Sequence, residues 1–279
     1  RRCDLGGNYQ GFSCSRQSWG QKLKKPGFLA AAILALSVCT APAAQLEPYK
    51  DSLFAYPDIL RTGDNGDYIV VDYNEMRDIN GRDQIPERRV KQTYVSMQPK
   101  RSQKDLLVTT DAGALKVTAV GKLDGDASVI VIYLHGQGGN RQQGMNDYTF
   151  GGNFNRLKNL VNRGGGLYLS PDFSDFDAKG AGEISGLMTH FKAASPQAKL
   201  FLVCGSMGGQ LCWRLATDSA ASKDISGLIL LGSLWDNKFP GSSAFKREIP
   251  VFFGHGSRDP VFPFKEQEAF YQKIRSLVR

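Results

Sequence analysis

The pattern of apolar and polar positions divides the chain into two parts. Between residues 67 and 122, four stretches alternate apolar and polar side chains and are separated by Gly, Asn, Asp and Pro. Such alternation is typical of strands with one solvated face, so antiparallel strands are predicted there. They cover residues 67–73, 89–97, 105–110 and 115–122. A short helical turn is predicted just before them, at residues 52–60.

From residue 128 onward, short apolar runs alternate with amphipathic stretches. The runs at residues 128–134, 166–170, 200–203, 226–231 and 250–253 are predicted to be strands. Helices are predicted at residues 150–162, 184–194 and 265–278, with a further one after residue 206. Apolar runs without alternation are typical of parallel strands covered on both faces. The order predicts an α/β fold: a mostly parallel central sheet with helices on both faces and antiparallel strands at its N-terminal side.

Composition narrows the range of partners. The chain has 279 residues, enough for one large domain, with a formal net charge of +8. Residues 1–43 hold six of the 35 basic residues and one of the 27 acidic ones, which leaves 29 basic and 26 acidic residues in the remainder. That balance, without clustered Lys and Arg among aromatic residues, argues against a nucleic-acid partner.

The N-terminal part of the chain has the features of an export signal. Lys22, Lys24 and Lys25 precede the apolar residues 28–38, and small residues follow at Ala41 and Ala43. This arrangement is typical of a secretory signal, while the apolar stretch is shorter than the roughly 20 residues that span a bilayer. We predict cleavage before Ala44, export to the periplasm or the extracellular space, and membrane contact only through the signal.

Two features of the head leave other possibilities open. Cys39 suggests a lipoprotein site, although Val38 before it is large where a small residue is expected. Residues 1–20 lie upstream of the signal and match no element, which suggests a start assigned too far upstream or a fragment. The predicted organisation is therefore upstream residues plus signal over 1–43 and one domain over 44–279.

The most informative stretch is residues 200–215. An apolar strand ends at Cys204, small residues follow at Gly205, Ser206, Gly208 and Gly209, and a helical pattern begins. A serine in such a strand–turn–helix is typical of the G-x-S-x-G nucleophile elbow. Here Cys204 stands in place of the first glycine. Cys204 as the nucleophile is a lesser alternative, since its thiol would be buried on the strand and protonated.

A second motif follows the predicted strand 128–134. Residues 135–140 read HGQGGN, and a glycine-rich loop at this position can direct backbone N–H groups into a cleft. Such donors stabilise a developing oxyanion. A flexible connection is the alternative interpretation, and His135 is predicted to orient or pack rather than to act as a base.

A third motif makes a family resemblance specific. Residues 250–264 read PVFFGHGSRDPVFPF, an apolar strand that runs into a turn bearing Asp259. Together with Ser206 and the 135–140 loop, this order resembles the α/β-hydrolase superfamily over residues 128–264. The resemblance implies an α/β-hydrolase fold and a serine hydrolase, with Ser206 as nucleophile and Asp259 as the acid. It also implies an oxyanion hole from the backbone N–H groups of Gln137 and Met207.

Two other aspartates follow predicted strands. Asp236 is the alternative acid, because some members of the superfamily place the acid after the preceding strand; a surface-loop residue is favoured. Asp172 is predicted to line the pocket.

The chain departs from the family pattern at the base. The triad order is serine, acid, histidine, but His135, His190 and His255 all precede Asp259. We expect a sequence that stops before the catalytic histidine; the alternative is a protein without the base. His255 is expected to be the non-catalytic histidine of the acid turn, and His190 to lie on a helix.

The remaining features concern the substrate. Residues 232–249 form only a short polar loop, so no large cap is predicted, and the site is expected to be open and shallow. No metal constellation or cofactor motif occurs, and Cys204 and Cys212 are predicted to be unpaired buried residues. The predicted function is a secreted serine hydrolase acting on carboxylic esters or small amides, carboxylesterase-like rather than peptidase-like. The alternative is a catalytically impaired α/β-hydrolase-like binding protein; oligomeric state is not predicted.

Overall fold

The structure is a computed structural model that describes residues 46–74, 77–78, 83–84 and 89–278. The predicted signal segment, Cys39 and residues 1–20 lie outside the described residues, so those predictions stay untested. Among the described helices, none combines the length and the apolar character needed to cross a membrane.

Eleven strands are present in the described part of the chain. They are β1 (Ile59–Gly63), β2 (Tyr68–Val71), β3 (Asp83–Gln84), β4 (Arg89–Val90), β5 (Gln103–Thr110), β6 (Gly113–Gly121), β7 (Val129–Leu134), β8 (Leu167–Pro171), β9 (Lys199–Gly205), β10 (Ile225–Leu231) and β11 (Val251–Gly254). Seven form the main sheet in the order β11-β10-β9-β7-β8-β6-β5, and β1-β2 and β3-β4 are separate antiparallel pairs. In the main sheet β5, β6 and β8 pair antiparallel, and all other pairs are parallel.

The described α-helices are α1 (Arg141–Met145), α2 (Asn153–Arg163), α3 (Ala178–Ala194), α4 (Gly208–Thr217), α5 (Ser243–Lys246) and α6 (Phe264–Leu277). Short 3₁₀ helices lie at Asp51–Leu53, Asp64–Gly66, Gln92–Tyr94, Gln98–Ser102, Phe150–Gly152, Ala221–Asp224 and Phe239–Gly241.

The core lies in two layers, one on each face of the main sheet. On one face, β7 and β9 contribute Ile130, Ile132 and Leu202, which pack with Leu187 of α3 and Leu211 of α4. On the other face, Val131, Tyr133 and Val203 pack with Phe154 and Val161 of α2. Every side chain of β7 is buried, as expected for a central strand covered on both faces. The predicted α/β-hydrolase architecture is confirmed, including the antiparallel strands at the N-terminal side.

The predicted strand over residues 89–97 is wrong beyond its first two residues. The chain turns into a 3₁₀ helix at Gln92–Tyr94, and the backbone of Ser96 is paired with a side chain instead of a strand. Ser96 N–H donates to Asn155 Oδ1 at 2.9 Å, and Asn155 Nδ2 donates to Ser96 O at 2.9 Å. The buried amide of Asn155 thus replaces the ladder that the alternating pattern predicts.

The N-terminal boundaries of two elements also differ. The predicted turn over residues 52–60 is a 3₁₀ helix at Asp51–Leu53, and Ile59 begins β1 because it pairs with β2. Helix α2 begins at Asn153, three residues later than predicted, because Gly151 and Gly152 have φ values of 68° and 73°. A left-handed backbone cannot continue an α-helix, and glycine adopts it without a steric penalty.

The segment between β10 and β11 is short, as predicted. Residues 232–250 contain the 3₁₀ helix Phe239–Gly241 and the four-residue α5. Phe239 is buried, with its ring centroid 4.9 Å from that of Trp213 on α4. The segment therefore packs against α4 through Phe239 and is too short for a separate cap, which confirms the prediction of no large cap between these two strands.

Candidate active site

The turn at Ser206 joins the central strand β9 to helix α4. Gly205 is the last residue of the strand and Gly208 the first of the helix, which leaves Ser206 and Met207 to make the reversal. Ser206 has φ of 50°, a left-handed value that is uncommon for a residue with a side chain. Strain of this kind persists only where the surroundings fix the backbone, and it is concentrated at functional sites. The predicted strand–turn–helix is present, with its strained residue at the predicted serine.

Three hydrogen bonds fix the backbone of Ser206. Its N–H donates to Leu231 O at 3.0 Å, which ties the turn to the end of β10. Its carbonyl accepts from Ser233 Oγ at 2.7 Å and from Gly209 N–H at 3.1 Å. The strained residue is therefore fixed on both sides, and only its side chain is left without a hydrogen bond among the described residues. Ser233, which no sequence motif marks, is the side chain that stabilises this turn.

Glycines allow the turn to approach the neighbouring strand. A Cβ atom added to Gly208 would lie 2.7 Å from His135 O and closer still to Leu134 O. One added to Gly205 would lie 3.1 Å from the Tyr133 hydroxyl. Burial raises the pKa of Tyr133, so its phenol stays protonated and donates to Gln143 Oε1 at 2.7 Å. The wall of the turn is thus neutral and closely packed.

The loop after β7 reaches the serine hydroxyl. A Cβ atom added to Gly136 would lie 2.9 Å from Ser206 Cβ and 3.5 Å from Ser206 Oγ, so only glycine fits. Within the part of the chain that the structure describes, the N–H groups of Gln137 and Met207 donate to no other group. Each belongs to a residue adjacent to this contact. Both N–H groups are therefore available to another acceptor near the serine hydroxyl.

His135 is a packing residue in this loop. Its ring is buried and lies parallel to Phe173, with centroids 4.2 Å apart. Its Nδ1 lies 2.9 Å from Gly136 O, so Nδ1–H donates to that carbonyl. The ring therefore orients the loop, in line with the orienting or packing role expected for it.

Asp259 lies on the turn between β11 and α6. Its Oδ1 accepts from the N–H groups of Val261 and Phe262 at 2.8 and 2.9 Å. Its Oδ2 accepts no hydrogen bond from a described residue, and His255 Nε2 lies 3.8 Å from it. One carboxylate oxygen therefore fixes the turn, and the other remains available as an acceptor.

The acid turn and the serine turn meet through the end of β10. A Cβ atom added to Gly232 would lie 3.5 Å from Asp259 Oδ2. Gly232 follows Leu231, whose carbonyl accepts the Ser206 N–H. Because β9, β10 and β11 are parallel, their carboxyl ends share one edge of the sheet. The structure thus brings Ser206, the 135–140 loop and Asp259 to that edge.

None of the three histidines hydrogen bonds to Ser206 in the described part of the chain. His255 is buried, and its Nε2 donates to Phe262 O at 2.7 Å, which supports the acid turn. His190 is exposed on α3 beside Phe191. Serine needs a base to become nucleophilic, and none of these three rings accepts a hydrogen bond from its hydroxyl in the described residues.

The other candidates lie elsewhere. Asp236 accepts from Lys238 N–H at 2.8 Å and shapes its own loop. Asp172 pairs with Arg141, whose Nη1 lies 2.6 Å from Asp172 Oδ2. Asp172 lines a cavity of about 260 Å³ with Phe173 and Glu183, and Ser206 is not part of that lining. In the described residues, no group of three or more His, Cys, Asp or Glu side chains is arranged to hold a metal ion.

Cys204 and Cys212 form a disulfide, so the prediction that they are unpaired is wrong. Both residues are buried, as predicted. Their Cα atoms are 6.5 Å apart, within the range that a disulfide spans, because the second turn of α4 lies directly over the end of β9. A residue without a free thiol cannot act as the nucleophile, which removes Cys204 as the alternative to Ser206.

Comparisons with known proteins give structural likeness without sequence relatives. No protein-family model matches the sequence, and no curated protein matches it. A protein of unknown function from Agrobacterium tumefaciens aligns with a TM-score of 0.49 at 17% identity, over 62% of this chain and 79% of that one.

Two further solved structures align similarly. An alpha-beta serine hydrolase homologue from Coxiella burnetii has a TM-score of 0.48 at 18% identity, over 61% of this chain and 82% of that one. An esterase from Pyrococcus furiosus has a TM-score of 0.47 at 18% identity, over 65% of this chain and 83% of that one. At such scores the likeness carries no argument about activity, which rests on the geometry of the site.

Proposed function

We propose that this protein is a serine hydrolase that cleaves carboxylic esters or small amides through an acyl-enzyme on Ser206. The observation that carries the proposal is the backbone of Ser206, which is strained at φ of 50° and fixed by hydrogen bonds while its hydroxyl meets the glycine loop. Backbone strain of this kind persists where the surrounding contacts hold it. Here the strained residue carries the Ser206 hydroxyl, which lies next to the glycine loop.

The proposed reaction has two steps. In the first, Ser206 Oγ bonds to the substrate carbonyl carbon, its proton passes to a base, and the leaving alcohol or amine departs with a proton. In the second, water attacks the acyl-enzyme and releases the acid. The N–H groups of Gln137 and Met207 would stabilise the negative charge on the carbonyl oxygen in both steps.

Asp259 is proposed as the acid that orients the base. Its Oδ1 is held by two backbone N–H groups, whereas Oδ2 is free to accept from an imidazole N–H. An aspartate held in this way fixes the tautomer of the histidine and stabilises the imidazolium. Asp259 is preferred to Asp236 because its Oδ2 would lie 3.5 Å from a Cβ atom added to Gly232. Gly232 comes directly after Leu231, whose carbonyl accepts the Ser206 N–H.

The base is the open element of the proposal. Since none of His135, His190 and His255 contacts Ser206 Oγ among the described residues, a second function has a specific observation in its favour. That function is binding of an ester or amide at the same edge of the sheet without turnover. Loss of the base lowers catalysis by orders of magnitude but leaves the binding contacts.

The substrate is proposed to be small and the site open, in the periplasm or the extracellular space. Residues 232–250 contain only a 3₁₀ helix and the four-residue α5, and Phe239 in this segment packs on Trp213. The predicted export signal supports this compartment. An open edge suits short acyl groups, because a long chain would remain in contact with water.

Pre-steady-state hydrolysis of p-nitrophenyl acetate tests the proposal. We expect a burst of p-nitrophenolate with an amplitude equal to the protein concentration, absent in Ser206→Ala. No release above buffer, together with equal affinity of wild type and Ser206→Ala for the ester, would instead establish the binding function.

A further inference from the structure

The disulfide between Cys204 and Cys212 encloses the serine turn. Cys204 lies two residues before Ser206 on β9, and Cys212 lies in the second turn of α4. Both side chains are fully buried in the core on one face of the sheet. The only covalent cross-link in the described part of the chain is therefore placed around the candidate nucleophile.

The two ends of the bond differ in how the backbone holds them. Cys204 is flanked by Leu134 of β7 and Leu230 of β10 in the parallel sheet, so its position is fixed by two ladders. Cys212 lies on a helix that is joined to this strand only through residues 205–207. The disulfide thus adds a covalent link between a fixed strand and a helix that is otherwise held by the turn and by the packing of Leu211 and Trp213 in the core.

The turn itself has little intrinsic stiffness. Three of its residues, Gly205, Gly208 and Gly209, are glycines, which close packing against the Tyr133 hydroxyl, His135 O and the Ser233 side chain requires. Glycine has more conformational freedom to lose on folding than any other residue. The same residues that let α4 approach the sheet therefore weaken the turn that must hold Ser206 in a strained conformation.

We propose that Cys204 and Cys212 are positioning residues for Ser206: their disulfide fixes α4 against β9, so that the strained serine and the Met207 N–H keep their geometry. The proposal rests on the proposed function of Ser206. It also fits the predicted export, since disulfides persist in oxidising compartments. When the bond forms, the two thiols would give two protons and two electrons to a partner disulfide, which becomes a dithiol. A reductant would reverse this step.

Three variants distinguish the effect of the disulfide from that of side-chain packing. They are Cys204→Ala, Cys212→Ala and the double variant. Each single variant removes the bond, so each should slow fluorophosphonate labelling of Ser206, and the double variant should slow it no further. We expect a loss between about tenfold and a hundredfold, because small displacements of reacting groups have effects of this size. In p-nitrophenyl acetate hydrolysis the loss should fall on kcat, with KM unchanged.

Two controls distinguish positioning from stability. Val161→Ala removes buried apolar volume in the core on the other face of the sheet, away from α4, and should lower Tm without slowing the labelling. A phosphine reductant under unfolding and refolding conditions should slow the wild type to the rate of the variants and leave the double variant unchanged.

Hydrogen exchange makes the test independent of activity. Amides of residues 205–210 should exchange faster in the cysteine variants than in Val161→Ala. Free thiols in the protein as purified, unchanged exchange at residues 205–210, or additive effects of the two single variants would overturn the proposal. If the wild type were labelled nowhere, but residues 205–210 exchanged faster in the cysteine variants, the proposed function would be refuted. The positioning role of the disulfide would stand.

Discussion

The turn that carries Ser206 and the turn that carries Asp259 lie at the same edge of the sheet but are held very differently. Around Ser206 the backbone is strained, fixed by three hydrogen bonds and enclosed by a disulfide. Asp259 has no left-handed backbone, and one of its carboxylate oxygens makes the two bonds that hold the turn. Its neighbour Val261 is 66% exposed.

The difference indicates which part of the proposed site is complete and which part still needs a base. The serine turn has its shape, the unpaired N–H of Met207 and its packing within the described residues, and the unpaired N–H of Gln137 lies in the adjacent loop. The acid turn has a free Oδ2 and an exposed rim, so it is the place where a base would make contact. The geometry of the proposed nucleophile is set by the end of the sheet, whereas the proposed acid depends on a further group.

The largest effect is expected from Ser206→Ala. Removing the nucleophile should lower kcat for p-nitrophenyl acetate by roughly 10⁶-fold, because members of a catalytic unit act together. Ser276→Ala, at an exposed position near the end of α6, should leave the rate unchanged. A Ser206→Ala protein with wild-type turnover would mean that the chemistry occurs elsewhere.

Asp259→Asn should follow, with a loss in kcat of roughly 10⁴-fold, because an amide holds the base in the wrong tautomer. Asp236→Asn is the matched control and should change kcat little, since Asp236 shapes its own loop. Steady-state kinetics of both variants decide between the two acids. The reverse ranking would move the acid to Asp236.

Gly208→Ala should test the close packing at the serine turn. The new Cβ would lie 2.7 Å from His135 O, and crowding against backbone typically costs about 1–3 kcal/mol. Gly241→Ala has open space around its Cβ and no left-handed backbone, so its free energy of unfolding should stay near that of the wild type. Urea denaturation measures both, and equal values would show that the approach of α4 to the sheet is not tight.

The smallest expected effect concerns the strain at each turn. At a left-handed position glycine is favoured over alanine, so Ser206→Gly should be more stable to urea than Ser206→Ala by about 1 kcal/mol. The same pair at Asp259 should not show this order, because Asp259 has no positive φ. The same ranking at both positions would remove the contrast between the turns.

The sequence was sufficient to predict most of the fold and the locations of both turns. Apolar runs such as residues 128–134 fold as buried parallel strands because two helical layers cover them. Small residues around Ser206 and Asp259 mark tight turns after strands, and that information is local. The loop at residues 135–140 was linked to Ser206 by the order of the three motifs, which resembles the α/β-hydrolase superfamily.

Tertiary contacts could not be predicted from the sequence in the same way. The disulfide depends on how α4 lies over β9, and the role of Ser233 depends on the register of β10 beside β9. The alternating pattern of residues 89–97 predicts a strand, but the buried amide of Asn155, 59 residues beyond Ser96, takes its hydrogen bonds. Contacts between residues far apart in sequence decided each of these outcomes.

Mapping of a covalent adduct tests the central claim most directly. The protein is incubated with a fluorophosphonate, digested, and analysed by tandem mass spectrometry, with Ser206→Ala treated in parallel. We predict a single phosphonylated peptide with the added mass on Ser206, absent from the variant. An adduct on another residue, or none on a folded protein, would contradict the assignment of Ser206 as the nucleophile.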